Sequence, residues 1–196
     1  WNQILSDTNI SDIYNKSSTI DTNSYNFKNK SYLTLTKNIS PQLAGSDFTI
    51  EFWAKVNLTL NTYHLVYAQG PNFDNGIYGE NLSLYFRYDG TNSSLSLDFY
   101  GGGVSVTINH ISFNDWNHYA IVFDNSTNPY SLFNATKFYI NGNLHLTTGP
   151  QHADRRIIST GKVTIGKDNN VDGNYFDGEL KDLTVLKRVK TLFEIR

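Results

Sequence analysis

The chain is predicted to be all-β, a sandwich of two antiparallel sheets around one shared core. Three observations predict it. Apolar and polar residues alternate with period two in run after run, short turn signals separate the runs, and no apolar stripe of helical spacing exceeds about two turns. FTIEFWAKV (48–56) sets Phe48, Ile50 and Phe52 on one face against Thr49, Glu51 and Trp53 on the other. LSLYFRY (82–88) turns Leu82, Leu84 and Phe86 inward and Ser83, Tyr85 and Arg87 outward. SLSLDFY (94–100) opposes Leu95, Leu97 and Phe99 to Ser96, Asp98 and Tyr100, and VSVTI (104–108) repeats the scheme. Turns are expected at Asp89-Gly90, at Gly101-Gly102-Gly103 and at Asn141-Gly142. The last divides KFYI from NLHL, and Asn-Gly is the strongest hairpin signal because both turn positions require positive φ.

Composition narrows the function classes. The 196 residues carry a net charge of −2 with no basic block, which gives no reason to expect a nucleic-acid partner. Zero cysteines excludes a disulfide framework, a thiolate metal site and a thiol nucleophile. No apolar run is long enough to span a membrane and no signal peptide opens the chain, so membrane insertion is not expected. The chain begins at Trp1 and contains no Met, and we expect a single domain, 1–196, excised from a larger protein whose other domains are candidate partners. N-x-[ST] sequons begin at Asn9, Asn15, Asn29, Asn38, Asn57, Asn81, Asn92, Asn125 and Asn134. They mark glycosylated surface loops if the chain is secreted by a eukaryotic route, or simply reflect an Asn-rich composition.

Six segments occur in order: SYNFKNKSYLTL (24–35), DFTIEFWAKV (47–56), NDWNHYAIVFD (114–124), KFYINGNL (137–144), GKVTIGKD (161–168) and YFDGELKDLTVLKRV (175–189). This succession resembles the laminin-G-like domains of the concanavalin A-like lectin and glucanase superfamily, and it covers nearly the whole chain from about Ser24. The resemblance implies a jelly-roll sandwich of two curved antiparallel sheets that takes ligands on its concave face or at its rim loops, and a short turn or helix at TLFEIR. It also implies an extracellular, cell-surface or virion-surface setting. Since the superfamily holds lectins, adhesion domains and hydrolases, the fold leaves the function open.

No enzyme is expected. Glycoside hydrolysis needs two carboxyl groups flanking the bond. The E-x-D-x-x-E run of the superfamily's glucanases is missing, and Asp177, Glu179 and Asp182 do not have its spacing. His118 is expected to be packed and hydrogen-bonded in its strand, and Trp53 and Trp116 to serve core or sheet packing.

The stretch DNNVDGNYFDGE (168–179) matches a calcium loop, with Asp168, Asn170, Asp172, the Asn174 carbonyl and Glu179 in ligand positions. KVTIG before it and ELKDLTVL after it read as strands, whereas an EF-hand needs helices on both sides. Two readings stand: a rim calcium held by Asp168, Asn170, Asp172 and Asn174, or a solvated turn. Relatives that carry calcium at the rim keep the first one open.

A lectin site combines an aromatic ring with polar side chains that bond hydroxyls. Tyr85, Arg87, Asp98 and Tyr100 share the polar face of two neighbouring strands, with a cross-strand Arg87–Asp98 ion pair as the alternative reading of the same residues. The competing site is the rim, through Asp74, Asn75 and Tyr78 in one loop and Asn169 and Tyr175 in the other. The expected function is a non-catalytic carbohydrate-binding domain, possible calcium included, whose partner is a glycan or glycoprotein. The alternative is a protein-binding adhesion or structural module.

Overall fold

A computed structural model describes residues 2–4, 19–21, 24–35, 43, 45–70, 82–99, 102–126, 135–145, 162–168 and 173–195. Among them the elements are β1 (Asn2–Ile4), β2 (Thr19–Asp21), β3 (Ser24–Phe27), β4 (Leu33–Leu35), β5 (Phe48–Val56), β6 (Tyr63–Gly70) and β7 (Leu82–Tyr88). There follow β8 (Ser93–Phe99), β9 (Gly102–Ile108), β10 (Asn117–Phe123), β11 (Thr136–Ile140), β12 (Asn143–His145), β13 (Lys162–Ile165) and β14 (Gly178–Leu186). A 3-10 turn, Leu192–Glu194, comes after the last strand, where TLFEIR predicted one.

The strands form two sheets. One has eight strands in the order β12-β11-β10-β5-β14-β3-β2, with β1 also paired to β14, and the other has six in the order β4-β13-β6-β7-β8-β9. Every pairing between these strands is antiparallel. The predicted inward faces meet between the sheets: Phe48, Ile50 and Phe52 from β5, Leu82, Leu84 and Phe86 from β7, Leu95 and Leu97 from β8, and Val104 and Val106 from β9 are all buried in one cluster. Removing such alternating faces from water is what drives two sheets together, at roughly 1.5–3 kcal/mol for each large side chain.

The Asn141-Gly142 turn joins β11 to β12 as predicted, with φ of 51° and 77°. Asn141 also ties the turn to β10. Its Oδ1 accepts the His118 N–H at 2.9 Å and its Nδ2 donates to Asn117 Oδ1 at 2.9 Å. The chain reverses between β8 and β9 where the glycine run at 101–103 predicted a turn, but the extent of that turn is corrected. Gly102 and Gly103 lie in β9, paired with Phe99 and Asp98 of β8, and a Cβ on Gly103 would stand 2.9 Å from the Leu97 carbonyl oxygen. These glycines permit close strand approach; Gly101 lies outside the described residues.

β14 is interrupted. Its register against β5 shifts between Lys181 and Thr184, and Asp182 there has φ 54°. A bulge of this kind re-aims a side chain out of the pleat's alternation. Beyond β14 the chain folds back over the outer face of the eight-stranded sheet. Ile195 packs there against Ala120, Val122 and Tyr139, and Thr49 Oγ1 donates to the Arg188 carbonyl at 2.8 Å and accepts the Lys190 N–H at 3.1 Å.

Candidate functional site

The outer face of the six-stranded sheet carries Tyr85, Arg87 and Asp98 of the predicted binding residues. β7 and β8 pair as a hairpin, so Ser83 stands opposite Asp98, Tyr85 opposite Ser96 and Arg87 opposite Ser94. Tyr85, Arg87 and Asp98 therefore share one face, as the alternation requires. The alternative Arg87–Asp98 ion pair is not formed in this register: the two residues are offset along the strands. Arg87 lies instead against the ring of Tyr63, which β6 delivers directly opposite it, with the guanidinium carbon 5.1 Å from the ring centroid.

Tyr63 also meets Tyr85 edge-on, with centroids 5.1 Å apart. Burial, the nearby Asp98 charge and Tyr63 push the Tyr85 hydroxyl up to about 12, so it stays protonated and able to donate at neutral pH. The Arg87 Nε is buried without a hydrogen-bond partner. The result is a half-buried ledge of two tyrosine rings and a guanidinium, with the Ser96 hydroxyl and the Asp98 carboxylate on the next strand. Such a ledge offers ring faces, donors and acceptors within one patch. Tyr63 was missed at the sequence level, because β6 alternates poorly. Asp74, Asn75, Tyr78 and Tyr100 lie outside the described residues.

The calcium-like loop springs from strands on both sides, β13 and β14, so the helix pair of an EF-hand is not formed there. Its base is closed by Asp168 N–H donating to the Asn174 carbonyl at 3.1 Å, by Asn174 Nδ2 donating to Asp168 Oδ2 at 3.4 Å, and by a bridge between Lys167 and Tyr175. Asn169, Asn170 and Asp172 lie outside the described residues. The Tyr175 ring is shared by the ammonium groups of Lys30 at 5.8 Å and Lys167 at 5.5 Å, and it is tilted against Tyr32. Glu179 has left the loop for β14, where it accepts from Ser24 Oγ at 3.3 Å and faces Lys55 at 3.9 Å.

Of the expectations about packing, sheet packing holds for the two tryptophans and hydrogen bonding is adjusted for His118. Trp53 and Trp116 are half-buried on the outer face of the eight-stranded sheet, not in the core, and the Lys181 ammonium lies 5.4 Å and 4.5 Å from their ring centroids. His118 is packed, with its ring 5.2 Å from that of Trp53, but its Nδ1 has no hydrogen-bond partner and its Nε2 lies 4.0 Å from Glu51 Oε2.

Burial holds both His64 and His118 below the ordinary imidazole value of 6.5; Asp177 opposes the shift for the first and Glu51 for the second, while Lys190 adds to the second. Each imidazole is therefore more readily protonated in the unfolded chain. Their stabilising contribution is complete above about pH 6.5 and is lost as pH falls through the lower folded values. Melting temperature is expected to drop between about pH 7.5 and about pH 5, and the His118→Asn variant to show a shallower drop. A pH-independent melting temperature over that range would refute the assignment.

Two antiparallel sheets closed on a shared aromatic core, with polar ledges and rim loops outside, define a sandwich of the jelly-roll class. Residues 27–196 match the Laminin_G_3 family, described as the concanavalin A-like lectin/glucanases superfamily, and the chain belongs to that family. Among solved structures it is similar to the binding domain of Paraclostridial Mosquitocidal Protein 1, at TM-score 0.62 and 17% identity, covering 93% of this chain and 45% of that one. It is also similar to the receptor binding domain of botulinum neurotoxin D, at TM-score 0.62 and 16% identity, covering 93% and 46%. A third is domain 4 of AbnA, a GH43 extracellular arabinanase from Geobacillus stearothermophilus, in complex with arabinotriose, at TM-score 0.58 and 17% identity, covering 93% and 79%. The chain thus spans less than half the length of the two toxin domains. At these identities the likeness establishes the fold. No curated protein matches the sequence.

Proposed function

We propose that the chain is a non-catalytic, extracellular carbohydrate-binding domain that takes a glycan on the outer face of its six-stranded sheet. The observation that carries this reading is the Tyr63–Tyr85–Arg87 ledge: ring faces for the apolar side of a sugar, with a guanidinium, a protonated phenol and a carboxylate beside them for its hydroxyls. The arabinotriose complex of a protein with the same fold supports it. Calcium belongs to the proposal as an ion that staples the rim loop. Asp168 and Asn174, the first and last of its expected ligands, already meet at the loop's base, while Asn170 and Asp172 would complete the set. When bound it would order that loop and offer coordination to vicinal hydroxyls.

The test is glycan-array binding in millimolar calcium and again in excess chelator, with the Tyr63→Ala variant alongside. Tyr63→Ala is expected to weaken binding about tenfold or more, the magnitude of a lost stacking ring. Chelator is expected to weaken it as well. A panel of diverse glycans that gives no signal in either buffer would remove the lectin reading, and intact binding in chelator would remove calcium from it.

A protein-binding adhesion module is the second reading. It is favoured by Leu192 and Phe193, adjacent apolar residues 55% and 98% exposed, and by the similarity to the receptor binding domain of botulinum neurotoxin D.

A further inference from the structure

On the opposite side of the sandwich, the outer face of the eight-stranded sheet contains a cleft of about 580 Å³. Its floor is built where β10, β5 and β14 run side by side, His118 paired with Trp53 and Glu51 with Thr184. Its wall is the segment after β14, with Arg188, Lys190, Phe193 and Glu194. The bulge in β14 contributes Asp182, which the left-handed φ of 54° takes out of the strand's alternation. The volume lies within the range of ordinary ligand pockets.

The hydrogen-bonding character of the cleft leans toward acceptors. His118 Nε2 lies 4.0 Å from Glu51 Oε2, a charge contact beyond hydrogen-bond reach, which leaves the ring proton free to sit on Nε2 or Nδ1. That Nδ1 is unpartnered in a side chain only 6% exposed, and Glu51 Oε2 is likewise buried without a hydrogen bond. Asp182 is exposed, and no ion pair engages its carboxylate among the described residues. The unfilled carboxylate positions are acceptors, and His118 Nδ1 is one or a donor according to its tautomer.

The charges lean the same way. Lys190 is neutralised by an ion pair with Glu51, and Arg188 by one with Glu194 at 2.7 Å. Asp182 is left over, giving the lining three carboxylates against two cations. His118, held neutral by burial, adds none. An anion would meet three carboxylates. An apolar group would desolvate the Asp182 carboxylate without giving it a partner. What fits is a ligand that donates to a carboxylate, carries one positive charge, and has a flat face for the Trp53 ring and the fully exposed Phe193 ring.

We propose that this cleft is a docking site for an exposed arginine side chain of a protein partner. The guanidinium would pair with Asp182 and lie against Trp53 or Phe193. This site lies on the sheet opposite the glycan ledge and is independent of it.

The experiment is titration of the protein with a short arginine-bearing peptide and with the same peptide carrying citrulline, followed by calorimetry and by amide shifts of β14. Saturable binding of the arginine peptide is expected, with citrulline binding weaker about tenfold or more, as loss of a charge-assisted pair implies. Asp182→Asn is the informative variant, because Asn accepts a left-handed φ and so removes the charge without straining the bulge. It is expected to lower affinity for the arginine peptide about tenfold and to leave glycan binding unchanged. Absence of saturable binding, equal affinity for arginine and citrulline, or an unaltered affinity in Asp182→Asn would each overturn the proposal.

Discussion

Phe86→Ala is expected to destabilise the protein by about 3–5 kcal/mol, the range for truncating a large aromatic in a core that cannot collapse onto the gap. Phe86 is fully buried on β7, and its ring is edge-on to Tyr119 at 4.9 Å, to Phe52 at 6.2 Å and to Phe113 at 6.1 Å. Phe52 and Tyr119 belong to β5 and β10 of the other sheet and are stacked on each other at 5.4 Å. The ring is therefore the point where the two sheets hold each other. Its two chain neighbours, Tyr85 and Arg87, point the opposite way into the ledge, so the same loss is expected to loosen that surface. Urea denaturation is the measurement, with a fall in midpoint at unchanged slope expected. A shift below about 1 kcal/mol would mean that the core repacks freely and that the ring does not join the sheets.

Gly178→Ala is expected to cost about 2–4 kcal/mol by a different mechanism, backbone strain combined with overpacking. Gly178 opens β14 at φ 145°, paired with Val56 of β5 and Phe27 of β3. A Cβ there would stand 2.1 Å from the Lys55 carbonyl oxygen and 3.1 Å from Val56 Cα. The obstacle is backbone in the middle of a sheet, which cannot swing aside as a flexible side chain could. Gly45→Ala is the control. Its φ of 61° is also left-handed, but no atom lies within 4 Å of the added Cβ, so a loss of only about 1–2 kcal/mol is expected. Comparable denaturation midpoints for the two variants would show that strain alone, and not the approach of β5, sets the cost.

Much of the fold was readable because half-buried antiparallel strands write their burial into the sequence with period two. FTIEFWAKV, LSLYFRY and VSVTI alternate cleanly, and each faces the core as its pattern says. Asn141-Gly142 was readable because few residue pairs tolerate two successive positive φ values. YHLVYAQG of β6 was not, since its register slips between Leu65 and Tyr67 and seven of its eight residues are buried, which erases the alternation. Missing β6 meant missing Tyr63, the ring on which Arg87 rests. Gly102 and Gly103 misled in extent only: the chain reverses between Phe99 and Gly102, and a glycine that permits close strand approach reads the same in composition as one that turns.

The candidate sites divide in the same way. The sequence by itself determined that Tyr85, Arg87 and Asp98 share a face, because alternation along two adjacent strands leaves no other arrangement. It also determined that strands flank the loop at 168–179. Only the tertiary structure decided what those faces meet. Register set Arg87 against Tyr63 and away from Asp98, and strand order brought Trp53, His118 and Asp182 together from three strands that are distant in the chain. The return of residues 187–195 over the sheet then walled that face into a cleft. Local patterning acts over neighbouring residues, so it reports which way a side chain points. Its partner is chosen by pairing between segments far apart in the chain, and that choice depends on the packing of the whole core.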